Sequence, residues 1–317
     1  MSFSSVPDSA LLSEIEVLKR IKHALVAKRP FSLVRIGDGE NIVMGQYTLL
    51  PEDKFMNTYW VRQNFGRMAK GVTLPNTKLR DQLVWGVRNA DIVGICKKYG
   101  DEVRAPEEFK RPLTDKIFDH YRLKPAQLCH VFVNRKMVSH GLFWEILHKH
   151  RVLLISKWAH EFRQLVLREY SQLRPKIVGA IDFHDFHQIP LVLKEAGKYN
   201  FDLALVSAGV NAVVLAPRLA KRTGKVVIDF GKVMMFFLTS DPRIAPWKPP
   251  VAPQNTQAQQ VENREKPVLG DPFNPPGAPG VYRPDLQEQN NHVYLENPQE
   301  TTEPPAPPAE IPAETQP

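Results

Sequence analysis

Four consecutive residues, Gly37, Asp38, Gly39 and Glu40, carry the densest chemistry in the chain. Asp38 and Glu40 are two apart, so a tight turn directs both carboxylates into one crevice. The glycines permit that turn and close approach of a ligand to the backbone. Hard oxygen ligands of this kind suit Mg²⁺ or Mn²⁺, which are usually shared between one or two carboxylates and substrate phosphates. Such an ion neutralises charge developing on a departing diphosphate. Arg35, two residues upstream, is placed to contact a phosphate or to lock the turn. The competing explanation is an ordinary turn, since Asp and Gly favour turns for local backbone reasons.

Three further segments hold candidate residues. The stretch 182–188, DFHDFHQ, brings Asp182, His184, Asp185 and His187 together, but its spacing is not that of a standard zinc site. It reads as a polar loop, or as a source of acceptor contacts with Asp182 or Asp185 as base. Ser207, Gly209 and Asn211 belong to a small-residue turn, SAGVN, that either offers N–H groups to a phosphate or packs a strand closely against a helix. It is neither a G-x-G-x-x-G nor a P-loop pattern. In FVNRKMVSH, Asn134 and Arg135 leave a strand end, and the Arg135 guanidinium suits paired hydrogen bonds to phosphate or a plain surface contact. Ser156 lies in no G-x-S-x-G elbow, so a hydrolase triad has no motif support.

The elements that must position these residues alternate along the chain. A helical apolar spacing runs over 9–28 through Leu11, Ile15, Leu18, Ile21 and Leu25. Short apolar runs at 31–36, 91–96, 128–134, 151–156, 176–181, 202–208 and 225–231 read as strands, with helical patterns between most of them. Strands apolar on every residue suit a sheet covered on both faces, and intervening helices supply parallel crossovers. The expected fold is therefore α/β, a Rossmann-like, doubly wound, mostly parallel sheet. Pro217 is expected to start a second helical segment or to kink one. In such folds ligands gather beyond the carboxyl ends of the strands, where every candidate above falls.

Composition divides the chain. Of 28 prolines, 18 follow residue 240, in a stretch poor in apolar runs. Such a segment buries too little apolar surface to offset its ordering entropy. The expected organisation is one domain over 1–240 and a largely disordered, Pro-rich, acidic tail over 241–317. The tail carries a net −6 and the whole chain +8, leaving +14 on the first 240 residues. A basic domain attracts polyanions such as nucleotides, nucleic acid or an acidic membrane surface. No basic-aromatic pattern of a nucleic-acid reader appears, which makes nucleic acid the weaker expectation. Cys96 and Cys129 read as reduced core residues, and no apolar run approaches the ~20 residues of a membrane span. With no basic start ahead of an apolar stretch, no signal peptide is expected, and the chain reads as cytoplasmic. The tail's P-x-x-P-like stretches serve as a spacer or offer an extended left-handed helix to a protein partner.

The helix followed by FSLVRIGDGE, with ADIVGIC (90–96), CHVFVNR (129–135), RVLLIS (151–156) and LALVSAGVNAVVLAPRLAKRTGKVVIDFG (203–231), resembles the GT-D family of bacterial glycosyltransferases. The resemblance spans most of 10–235 in order, with R-x-G-D-G-E its most specific string. It implies a Rossmann-like GT-D fold and a D-x-E motif, here Asp38-Gly39-Glu40, that handles a divalent cation, Mn²⁺ or Mg²⁺, and the diphosphate of a nucleotide sugar. Members of this kind extend glycans on bacterial surface proteins, often from UDP-glucose, which implies a UDP-sugar donor and a glycan or glycoprotein acceptor. The expected activity is transfer of a sugar, such as glucose, from that donor to an acceptor hydroxyl. Arg35, Gly37, Gly39, Asn134, Arg135, Ser207, Gly209 and Asn211 are the expected donor-binding residues. Two alternatives stand beside it: a non-catalytic nucleotide- or polyanion-binding module, and a metal-dependent phosphohydrolase pairing Asp38 with the Asp/His loop.

Overall fold

The computed structural model describes residues 2–66 and 71–248. All fall in a unit spanning Met1–Ala252; the rest of the expected tail, 249–317, lies outside the described residues. The chain stays packed beyond the expected boundary at 240. Ile244 is buried, and the Trp247 N–H donates to the Val138 carbonyl at 2.9 Å.

Eight parallel strands form one sheet: β1 (Leu11–Leu12), β2 (Phe31–Arg35), β3 (Ile92–Ile95), β4 (Gln127–His130), β5 (Val152–Ser156), β6 (Ile177–Ile181), β7 (Leu203–Ser207) and β8 (Val226–Asp229). Their order across the sheet is β1-β4-β3-β2-β8-β7-β5-β6. Alternate residues of the strands enter two separate cores. Val34, Val93, Leu153, Val206 and Val227 face one; Leu33, Ile92, Leu154, Leu205 and Ile228 face the other. Apolar residues at every position are thus the signature of a sheet covered on both sides.

The helices divide by direction of travel. Steps toward the β1 edge use α2 (Asp38–Gly45), α3 (Glu52–Met56), α4 (Tyr59–Asn64), α5 (Thr77–Arg88), α6 (Arg111–His120), α10 (Ile189–Ala196) and α11 (Ala212–Thr223) on the first face. Steps toward the β6 edge use α1 (Glu14–Val26), α7 (Val133–Met137), α8 (Gly141–Lys149) and α9 (Ala159–Glu169) on the second, which α12 (Val233–Leu238) also covers. Crossovers of a single hand sort in this way, because only one hand packs the helix back onto a twisted sheet. At the centre, α2 leaves β2 toward one face and α12 leaves neighbouring β8 toward the other. Ligands of open α/β sheets gather beyond the carboxyl ends of strands whose following helices part in this way.

Several local expectations change. The first helix starts at Glu14, because Ser13 and Glu16 close a capping box, and the preceding Leu11–Leu12 pairs with β4 as an edge strand. Asn134 and Arg135 lie in α7, since β4 ends at His130. Pro217 sits inside an uninterrupted α11. Lacking an N–H, it cannot bond back to the Val213 carbonyl. That carbonyl faces Gly86 of α5, where an added Cβ would stand 2.1 Å away, so only glycine permits this close helix crossing. Cys96 and Cys129 are free and buried, and among the described residues no helix is long and apolar enough to cross a membrane.

Candidate functional site

GDGE is the first turn of a helix and not a free turn. Gly37 is the N-cap of α2, and the Glu40 carboxylate, three residues on, reaches back to accept from the Gly37 N–H at 2.9 Å. This is half of a capping box, with glycine at the cap leaving room for the acid. Two acids in the first turn also meet the positive end of the helix dipole. Asp38 accepts a hydrogen bond from the Tyr59 hydroxyl, supplied by α4. Gly39 faces the Trp60 indole, and a Cβ there would lie 2.7 Å from its Nε1. The motif's second glycine therefore lets α4 close against α2 and bring Tyr59 to Asp38.

Asp229, at the end of β8, completes the acidic group. It is buried, and its Oδ1 accepts from Arg35 Nη2 at 2.9 Å and from the Gly231 N–H at 2.9 Å. Arg35 also donates through Nη1 to the Val131 carbonyl at 3.1 Å and to Asn134 Oδ1 at 3.3 Å. Asn134 in turn donates to the Phe230 carbonyl at 2.8 Å. Arg35 and Asn134 thus brace the ends of β2, β4 and β8 against one another.

The electrostatics follow from this crowding. Burial, then the charges of Asp38 and Asp229, push the Glu40 carboxyl up from 4.5 to about 7. Burial also pushes Asp229 up, opposed by Arg35. Burial and the hydrogen bond to Asp38 push the Tyr59 phenol up, so it stays a proton donor. Three carboxylates sharing one poorly solvated mouth are a standing demand for positive charge.

The residues fit a divalent cation shared with a substrate. Glu40 gives one oxygen to Gly37 and Asp38 one to Tyr59, and among the described residues no hydrogen bond engages the other oxygen of either. Also among the described residues, no group of three His, Cys, Asp or Glu side chains forms a metal cage. That donor set suits Mg²⁺ or Mn²⁺ completed by phosphate and water, rather than a closed protein site.

The remaining candidates fall at different distances from this mouth. Ser207 and Asn211 are buried at the end of β7, two places from β2 in the sheet. Asn211 Nδ2 donates to the Gly71 carbonyl at 2.9 Å, while among the described residues Asn211 Oδ1 and the Ser207 hydroxyl have no hydrogen-bond partner. Gly209 opens the 3-10 turn Gly209–Asn211 with φ +56°. Arg135 lies on the second face, its guanidinium 3.6 Å from the centre of the Phe132 ring. Asp182 and Asp185 follow β6, four places from β2, about 19 Å at the usual strand spacing. Asp182 is exposed, 3.7 Å from His160; Asp185 caps the 3-10 turn Phe186–Gln188 by accepting from the His187 N–H at 2.8 Å. Tyr59 carries no signal in the sequence, since its partner is 21 residues away. Asp229 is legible only as the acid that ends the last strand.

Residues 12–237 match the family described as a GT-D fold-like domain. The chain belongs to the GT-D-like family. Among solved structures, a selenomethionine-substituted domain of unknown function 1792 is 18% identical to this GT-D-like chain, covering 78% of it and 93% of itself, with TM-score 0.44. A structure of the same domain, described as having a distinct glycosyltransferase fold, is 17% identical over 78% of this chain and 93% of its own, with TM-score 0.45. A third, described as a new glycosyltransferase from Streptococcus sanguinis, is 13% identical over 79% and 97%, with TM-score 0.42. No curated protein matches the chain.

Proposed function

We propose that this chain is a metal-dependent glycosyltransferase that moves a sugar from a nucleoside diphosphate, UDP foremost, to a hydroxyl of a glycan or glycoprotein. Membership of the GT-D-like family supports the class. The observation that carries the reading is the pairing of Asp38 and Glu40 in one helical turn, beside buried Asp229, at the carboxyl end of a central strand.

A bound Mn²⁺ or Mg²⁺ would neutralise charge on the departing diphosphate. Among the described residues, Asp38 and Glu40 each keep a carboxylate oxygen outside the contacts with Tyr59 and Gly37, and those oxygens would hold it. Tyr59 fixes Asp38 through its other oxygen, and the Gly37 N–H fixes Glu40. Arg35 supports the mouth from beneath by neutralising Asp229. The unpartnered oxygens of Ser207 and Asn211 support a donor-lining role for the turn that follows β7. The acceptor base is a separate matter: this geometry gives Asp182 and Asp185 no support, because β6 is remote from β2 and Asp185 already serves as a cap. The same separation removes support from a phosphohydrolase that pairs Asp38 with the Asp/His loop.

Turnover of UDP-sugars with and without Mn²⁺ tests the proposal, using Asp38→Asn and Glu40→Gln. Glutamine preserves the capping hydrogen bond, so loss of activity would report the charge and not the helix. We expect each substitution to lower turnover at least tenfold, Asp38→Asn with little change in stability and Glu40→Gln without the stability loss that the buried carboxylate brings near neutral pH. Metal-independent turnover, or a loss below tenfold in both variants, would overturn the assignment.

A further inference from the structure

Arg135 stands apart from the other cations near the β2 mouth. Two other guanidiniums, those of Arg35 and Arg243, repel that of Arg135. Arg35 is paired with Asp229 at 2.9 Å. Arg243 is paired with Asp241 through two N–H groups, one at 2.8 Å and one at 2.5 Å. Arg135 has no such partner. Among the described residues its guanidinium forms no hydrogen bond and no ion pair, and the nearby Glu102 is joined to Lys136 at 3.6 Å instead. Its group lies against the Phe132 ring at 3.6 Å and the Phe236 ring at 5.1 Å. Stacking of this kind fixes the guanidinium plane and leaves its N–H edge for a planar, two-oxygen anion.

A half-buried cation beside two like charges is costly unless an anion completes it. Burial and those neighbours hold Arg135 down to about 10, which still leaves it charged at neutral pH. Its position separates it from the donor mouth. Arg135 belongs to α7 on the second face, whereas Asp38 and Glu40 begin α2 on the first. Arg35 lies between them, held by Asp229 on one side and by Asn134, the neighbour of Arg135, on the other.

We propose that the protein has a second oxyanion site beside the β2 mouth, centred on the guanidinium of Arg135, that receives a phosphate or carboxylate of the substrate other than the donor diphosphate. The inference rests on the glycosyltransferase reading for the identity of the first site. The anion belongs either to the acceptor or to the transferred sugar.

The test is titration of the full-length protein with inorganic phosphate, alone and with saturating UDP and Mn²⁺. Wild type should bind phosphate in both conditions, less tightly as salt rises. Arg135→Gln should weaken phosphate at least tenfold and change UDP–Mn²⁺ affinity less than twofold. Arg135→Lys keeps the charge and the stem over the rings but loses the fork, and should weaken phosphate about threefold; it keeps the test readable if the glutamine variant fails to fold. Competition between phosphate and UDP–Mn²⁺, absence of phosphate binding to wild type, or indifference to both substitutions would overturn the second site. Arg135-dependent phosphate binding in a protein that ignores UDP and Mn²⁺ would keep the site and sink the donor reading instead. Tighter binding of UDP-glucuronate than UDP-glucose, lost in Arg135→Gln, assigns the anion to the sugar; equal affinities assign it to the acceptor.

Discussion

The mouth of β2 and the mouth of β6 hold the same kinds of residue and put them to different uses. At β2, two of the three acids are held by another part of the fold, Asp38 by Tyr59 of α4 and Asp229 by Arg35 across the neighbouring strand, while Glu40 is held locally by the Gly37 N–H. At β6, the loop holds itself. Gln188 Oε1 accepts from the His184 N–H at 2.6 Å, Asp185 accepts from the His187 N–H, and Asp182 points into solvent. Short-range spacing does not distinguish them. Sheet order does, because β2 and β8 are central strands with a neighbour on each side, while β6 is an edge.

The largest effect that should separate the two regions is on stability. Arg35→Ala leaves the buried Asp229 carboxylate without its cation and with backbone N–H groups alone, and removing one partner of a buried pair costs about 3–5 kcal/mol. Urea denaturation should show that loss, whereas Asp182→Ala at the edge should change stability by less than about 0.5 kcal/mol. An Arg35→Ala loss below about 1 kcal/mol would mean that Asp229 is as well solvated as the edge acids.

A pH series sharpens the contrast. Glu40 titrates near 7 when folded against an ordinary 4.5, so between those values the folded chain binds the extra proton. Stability without metal should therefore be greatest at the acid side of that window and fall as pH rises through it, by about 3 kcal/mol. Asp229, also pushed up, acts with the same sign. The acids pulled down to about 2, Asp202 and Asp241, lose their contribution only at lower pH; His150, pulled down by burial, acts with the opposite sign but equally in wild type and Glu40→Gln. Urea midpoints at pH 5 and pH 7.5 should differ in wild type and much less in Glu40→Gln. Equal slopes in the two proteins would place the proton elsewhere.

Much of the scaffold is legible in the sequence because two-sided burial writes itself as uninterrupted apolar runs, as in Val152–Ser156 and Leu203–Ser207. The two-residue β1 is not, since Leu11 and Leu12 also fit the spacing of the helix that follows. At GDGE, turn propensity points to a loop, yet the acid three residues after Gly37 is the mark of a helix N-terminus. The acids at 38 and 40 are readable as a pair; what holds them is not. Tyr59, Trp60 and Asp229 reach the mouth through tertiary contacts that no local pattern encodes. For Arg35, the sequence offers a phosphate contact or a structural lock, and the fold uses it as a lock on Asp229.

The smallest expected effect is the one that tests the edge directly. Asp185 satisfies a free N–H at the start of the turn Phe186–Gln188, and losing such a cap costs about 1 kcal/mol. The turn is tied to the rest of the domain by the Phe186 N–H, which donates to the Gly71 carbonyl at 2.9 Å, the same carbonyl that receives Asn211. Loosening it should therefore shift the Ser207–Asn211 turn slightly without removing any group from the β2 mouth. Asp185→Ala is expected to raise KM for the donor no more than about threefold, to leave kcat unchanged, and to lower stability by about 1 kcal/mol. A tenfold fall in kcat at unchanged stability would show that the edge loop takes part in chemistry, and the distinction between centre and edge would fail with it.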